Sequence, residues 1–138
     1  MIDPDGIRKR VRGRLAEQGR LVRSLLQQRT QLQGSLFVRY ATCGKPGCAC
    51  RQGTRHGPYY VLSTRSGGRG GFAYVEGRRV DQARALVARS RRFRAGMRRL
   101  RVVNRELVSL LRRYQQSVSR RSTRKLGLPV SLVPKGQV

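Results

Sequence analysis

Cys43-Gly-Lys-Pro-Gly-Cys48-Ala-Cys50-Arg-Gln-Gly-Thr-Arg-His56-Gly-Pro-Tyr-Tyr60 holds all 3 cysteines and the 1 histidine of the chain within its first fourteen positions. Cys43, Cys48, Cys50 and His56 form a Cys3His set with the spacing C-x4-C-x-C-x5-H. A structural zinc ion takes four thiolate or imidazole ligands in a tetrahedron, so the set predicts a structural Zn²⁺ site. Gly44, Pro46 and Gly47 allow the tight reversal that returns Cys43 to Cys48. Lys45, Arg51 and Arg55 favour ionised thiols beside them. A C-x-C pair is a less usual spacing than C-x2-C, and three other readings stand beside zinc. The cysteines could be small buried apolar residues, although glycine and arginine surround them. They could form a disulfide, although residues 1–14 contain no apolar run of a secretory signal and an odd thiol is left over. They could include a nucleophile activated by His56, although the nearest carboxylate, Glu76, lies twenty positions away.

Outward from this knot the chain alternates into strands. Residues 35–40 (Ser-Leu-Phe-Val-Arg-Tyr) lead into it, and residues 59–64 (Tyr-Tyr-Val-Leu-Ser-Thr) leave it as a β-branched and aromatic run. Residues 66–71 read as a flexible glycine-rich turn, and residues 72–76 as the returning arm of a hairpin. The expected sheet has three short antiparallel strands, and the alternation leaves open which face is buried.

The string CGKPGC-x-C…HGPYY-x-LS, with the glycine-rich turn, a YVE-type strand and a long basic helix after it, resembles an uncharacterised prokaryotic family of small basic proteins associated with mobile-element neighbourhoods. The resemblance covers about residues 34–114 and is carried by Cys43, Cys48, Cys50, His56, Gly57, Pro58 and Tyr59. It implies a shared fold and site, and no activity.

Two helices flank the sheet. The first is expected over Gly6–Gln33, capped by Asp3 or Asp5 with Pro4 in its first turn and stopped by Gly34. Val11, Leu15, Gln18, Val22, Leu25, Arg29 and Leu32 form its heptad seam. The second helix is expected from an Asp81 N-cap to about residues 117–120, with the seam Leu86, Ser90, Phe93, Met97, Leu100, Asn104, Leu107, Leu111 and Tyr114. The fold class is α+β, with the helices pairing as an antiparallel coiled-coil-like hairpin. A homodimer or partner protein on the same seams is the competing arrangement, with Leu21, Leu26, Val103 and Leu110 as its spare apolar contacts. The organisation expected is a polar lead at 1–5, a single domain at 6–119 with the zinc loop at 43–56, and a basic disordered tail at 120–138.

The 138 residues include 32 Lys+Arg against 6 Asp+Glu, a formal charge of +26. That exceeds what solubility requires and opposes compaction, so a polyanionic partner is the simplest reason to tolerate it. Nucleic acid comes first and an anionic membrane surface second. No apolar run approaches a membrane span, and a cytoplasmic protein with no membrane partner is expected. Arginine outnumbers lysine 28 to 4, which suits bidentate phosphate and guanine recognition. A GC-rich genome would produce the same ratio, but not the net charge.

Catalysis is disfavoured. The 6 carboxylates are scattered from Asp3 to Glu106, against a two-metal nuclease, and one histidine cannot build a multi-histidine nicking site. Tyr59 and Tyr60 lack the partners of a recombinase nucleophile. The expected function is duplex-DNA binding by a zinc-braced surface, in the manner of β-sheet readers of the major groove. Arg39, Arg65, Arg69, Arg78 and Arg79 lie on or beside the strands, and Arg91, Arg92, Arg98 and Arg99 on the second helix. Any one of these alone reads equally well as a solvated side chain. The alternatives are structured RNA, or an assembly subunit that recruits a recombinase or transposase through its helices.

Overall fold

A computed structural model describes residues 3–66 and 68–129. The order of elements is α1 (Pro4–Leu26), β1 (Ser35–Ala41), a short 3-10 turn (Ala49–Gln52), β2 (His56–Ser66), β3 (Arg69–Val75), a second 3-10 turn (Gly77–Arg79) and α2 (Val80–Lys125). The fold is α+β, with one antiparallel sheet in the order β1-β2-β3. The chain gathers into two compact units, one within Met1–Ser24 and Arg98–Val138, the other Leu25–Met97.

In the Leu25–Met97 unit the three strands pair in simple succession. Phe37 stands opposite Val61 and Val38 opposite Tyr60; Val61 stands opposite Tyr74 and Ser63 opposite Phe72. The hairpin is tighter than expected. Pairing of β2 with β3 continues through Arg65–Gly70 to Ser66–Arg69. Arg69 therefore lies in a strand, where a flexible tip was expected.

Residues opposite each other on neighbouring strands share a face, and the two faces differ. Leu36, Val38, Tyr60 and Leu62 lie on the side that meets α2, where Leu36, Val38 and Tyr60 share a shallow cleft with Arg84, Val87, Ala88 and Arg91; Phe37 also borders this cleft, although its register sets it with the other face. Val80, Ala83, Val87 and Ser90 are the buried residues of α2 in this unit. The other face carries Phe37, Tyr59, Val61, Phe72 and Tyr74.

The stop expected for α1 at Gly34 falls earlier, at Leu26. Residues 27–31 (Gln-Gln-Arg-Thr-Gln) offer no apolar face to sustain the helix. The Gln28 N–H closes the last turn on the Leu25 carbonyl, and the following strap bonds elsewhere: the Leu32 N–H donates to the Leu86 carbonyl at 3.2 Å and Arg89 to Thr30 Oγ1 at 2.9 Å. Gly34 instead immediately precedes β1 at φ +150°, where a Cβ would collide with the Ser63 carbonyl oxygen.

In the other unit α1 and α2 are bonded side by side and antiparallel. Asp3 caps α1 by accepting the Gly6 N–H at 3.1 Å, with Pro4 as the first helical residue. Arg8 donates to Tyr114 Oη at 2.7 Å and lies over its ring. Arg14 pairs with Glu106 at 2.6 Å, Gln18 with Asn104 at 2.8 Å, and Arg99 with Glu17 at 2.5 Å. Glu17 is also held by Arg14 at 2.6 Å, and these arginines, Arg99 first, keep its carboxyl below the usual carboxylate range.

The apolar contacts keep Val11, Leu25 and Leu107 of the expected seam, while Leu21, Val103 and Leu110 stand one position from it. Val103, Leu107 and Leu110 are buried, whereas Asn104 and Leu111 are exposed. On α1, Ile7 is buried and Val11 and Leu21 half-buried, whereas Leu15 and Val22 are exposed. Val103 and Leu110, expected as spare residues for a partner, are thus consumed within the chain. Asp81 lies inside the first turn of α2 and pairs with Arg84 rather than capping the helix, which starts at Val80. The helix continues to Lys125, beyond the end expected at 117–120, and residues 130–138 of the expected tail lie outside the described residues. No helix among the described residues is long and apolar enough to cross a membrane.

Candidate metal centre

The loop between β1 and β2 draws its four chemically distinctive side chains together. Cys43 follows the end of β1, Cys48 immediately precedes the 3-10 turn, Cys50 lies within that turn, and His56 is the first residue of β2, in register with Ala41. Two small backbone bonds wind the loop, from the Cys48 N–H to the Lys45 carbonyl at 3.4 Å and from the Arg51 N–H to the Cys48 carbonyl at 3.3 Å. Gly57, next to the histidine, adopts φ +138°, and a Cβ there would stand 2.9 Å from the Tyr40 ring and 3.0 Å from the Arg39 carbonyl oxygen. The Gly57–Pro58 bond is cis. Only glycine lets β1 and β2 close this tightly at the mouth of the loop.

The four ligand atoms lie within 4.8 Å of one another, close enough to bind one metal ion. The Cys43 and Cys50 sulfurs are 3.6 Å apart, and Cys48 Sγ is 3.2 Å from His56 Nε2. Across a tetrahedron with metal–sulfur bonds of about 2.3 Å and metal–nitrogen bonds of about 2.0 Å, the corresponding separations are about 3.8 and 3.5 Å. These two separations match a single tetrahedral ion, and the whole set, spread over at most 4.8 Å, is compact enough to converge on one.

Burial grades across the set: Cys50 is 2 % exposed, Cys43 and Cys48 are half-buried, and His56 is exposed. The Cys48 thiol is held below the ordinary range by the Cys50 backbone N–H and then by the Cys50 and Cys43 side chains. At Cys50 the Cys43 N–H, 3.3 Å from the sulfur, acts in the same direction, but burial and the neighbouring sulfurs outweigh it and push that thiol up. Thiolates this close oppose one another's ionisation, and a bound cation removes the conflict.

The arginines singled out for nucleic acid do not converge on this loop. Arg39 is exposed on β1, in register with Tyr59, and Arg69 is exposed at the start of β3. Arg65 lies in β2 opposite Gly70. Arg78 and Arg79 are both drawn to Glu76, at 2.7 and 3.8 Å. Arg91, Arg92 and Arg98 are exposed on α2 without an ion pair among the described residues, whereas Arg99 is held by Glu17. The sequence reading missed a cluster of rings: Phe37, Tyr59, Phe72 and Tyr74 share the sheet face turned away from α2. Period-two spacing in β2 and β3 marks them, but the opposite alternation is apolar too.

These features define a small helix–sheet–helix protein whose sheet is tied at one end by a Cys3His cluster. Residues 8–85 match the family described as Domain of unknown function (DUF6788), and the chain, of which this is more than half, belongs to it. The matched region contains the whole sheet and all four candidate ligands. No curated protein and no solved structure matches the chain.

Proposed function

We propose that the protein is a nucleic-acid-binding protein whose sheet is braced by a structural zinc ion held by Cys43, Cys48, Cys50 and His56. Thiolate-rich Cys3His sets suit zinc, and four protein ligands leave no open position for substrate chemistry. The role is therefore binding rather than catalysis. Duplex DNA is the first partner, reached by arginines on the helices and beside the strands.

The observation that carries this reading is the state of the acidic residues. All 6 carboxylates are already held by arginines of the same chain: Asp3, Asp5, Glu17, Glu76, Asp81 and Glu106. Among the described residues the other basic side chains have no carboxylate partner within the chain, and their charge calls for an external polyanion. One place where such charge collects is a cleft of ≈ 580 Å³ lined by Arg113, Arg120 and Arg124 together with the Asp3–Arg121 pair. Arginine forks of this kind match phosphate oxygens.

The test is the salt dependence of binding to a mixed-sequence duplex. Six to ten phosphate contacts should cost about 10³–10⁵ in affinity between 50 and 200 mM salt. An affinity that does not change over that range would refute the phosphate-contact reading.

A further inference from the structure

We infer that the sheet face turned away from α2 is a stacking platform for the bases of unpaired nucleic acid. The inference deepens the nucleic-acid reading and rests on it. Phe37, Tyr59, Phe72 and Tyr74 are exposed by 40 %, 42 %, 75 % and 69 %. Their cross-strand positions place all four rings on one side of the sheet. Phe37 and Phe72 meet edge to face with centroids 6.3 Å apart, and Tyr59 and Tyr74 do the same at 6.4 Å. Between the two pairs Val61 is only 3 % exposed. The rings thus bury one aliphatic side chain beneath them and still present aromatic surface to solvent. Single aromatic residues on a surface need no explanation, whereas a contiguous patch of four marks a binding face.

The chemistry of the patch selects its occupant. A second copy of this chain would bring another +26 against the first, and like-charge repulsion opposes that contact. The partner must carry negative charge and present flat apolar surface at short, regular spacing. A nucleic-acid strand with unpaired bases does both, because each base offers a π-face and each linkage a phosphate. Duplex DNA hides its base faces in the stack and cannot use the rings in this way. Arg39, exposed and opposite Tyr59 on the same face, provides a guanidinium for phosphate or base beside the rings.

The test uses the full-length, metal-loaded chain with three probes: oligothymidylate, oligouridylate and a mixed-sequence duplex. The protein contains no tryptophan, so tyrosine emission can report directly, and stacking on Tyr59 and Tyr74 should quench it. Phe72→Ala with Tyr74→Ala should weaken single-strand binding by roughly tenfold per ring and leave duplex binding and its salt slope unchanged. Phe72→Leu with Tyr74→Leu keeps apolar cover over Val61 without a π-face, and should fold and still lose single-strand binding. Phe72→Tyr with Tyr74→Phe should restore it. Equal single-strand affinity in the wild type and the leucine variant would overturn the platform while leaving duplex binding intact. Failure of both strand forms to bind would overturn the nucleic-acid reading itself. Ring-dependent binding to phosphatidylserine vesicles or to an acidic protein, with oligonucleotide binding unaffected, would replace the platform with that partner. Comparison of oligothymidylate with oligouridylate shows whether the unpaired strand is DNA or RNA.

Discussion

At Cys48 and His56 the ligand cluster meets solvent, whereas Cys50 is enclosed. This gradation decides which substitutions are informative. Cys50→Ala would combine lost ligation with a small void in a packed turn. His56→Ala removes an exposed imidazole and tests ligation almost alone. Structural zinc contributes about 10–16 kcal/mol in small peptides, as much as the whole stability of an ordinary domain at about 5–15 kcal/mol. His56→Ala and Cys48→Ala should therefore purify without stoichiometric zinc and lose the cooperative melting of the sheet. Metal analysis beside thermal unfolding checks both, and a variant that folds normally without metal would show the ion to be dispensable. That Cys43, Cys48, Cys50 and His56 come together was legible in the sequence, because short spacing limits how far apart they can lie. The ring cluster was not, because Phe37, Tyr59, Phe72 and Tyr74 come from three strands and only their pairing register brings them to one face.

The helices show where periodicity stops being decisive. On α2 the sets 103-107-110 and 104-107-111 both obey a four-and-three rhythm and share Leu107, so counting steps cannot choose between them. The structure buries Val103 and Leu110 and leaves Asn104 free to accept a hydrogen bond from Gln18. On α1 the set through Ile7, Val11, Arg14, Gln18, Leu21 and Leu25 displaces the one through Leu15 and Val22. It does so although it contains an arginine, because Arg14 is neutralised by Glu17 and Glu106 and long charged side chains can bury their stems. Leu107→Ala and Leu110→Ala should each cost about 2–5 kcal/mol of unfolding free energy. Leu111→Ala should change it by less than about 0.5 kcal/mol, as exposed positions usually do. Chemical denaturation measures both. A large loss at Leu111 together with concentration-dependent melting would instead indicate a dimer through the exposed Leu15 and Leu111 face.

Across the whole molecule the dominant force is charge, and it has opposite consequences for folding and for binding. A chain of +26 whose carboxylates are all engaged repels itself, and salt at 0.1 M screens such repulsion beyond about 10 Å. Raising sodium chloride from 20 to 300 mM should increase the melting temperature by about 3–4 °C, equivalent to about 1 kcal/mol, while the same change weakens oligonucleotide binding. Calorimetry and binding isotherms in matched buffers check the pair of signs, and a melting temperature that falls with salt would show the internal ion pairs to outweigh the repulsion. The α+β class and the succession of strands were readable from the glycine-rich breaks and β-branched runs; the division into two units was not, because α1 and α2 each run through it without a break in pattern. His56 and Tyr59 are three positions apart on a single strand. Whatever grips the imidazole also anchors the backbone that carries the Tyr59 ring, so a chelator or thiol oxidant acting at the exposed rim of the cluster would disable the ring-bearing face, giving chemical control over it without any competitor for its ligand.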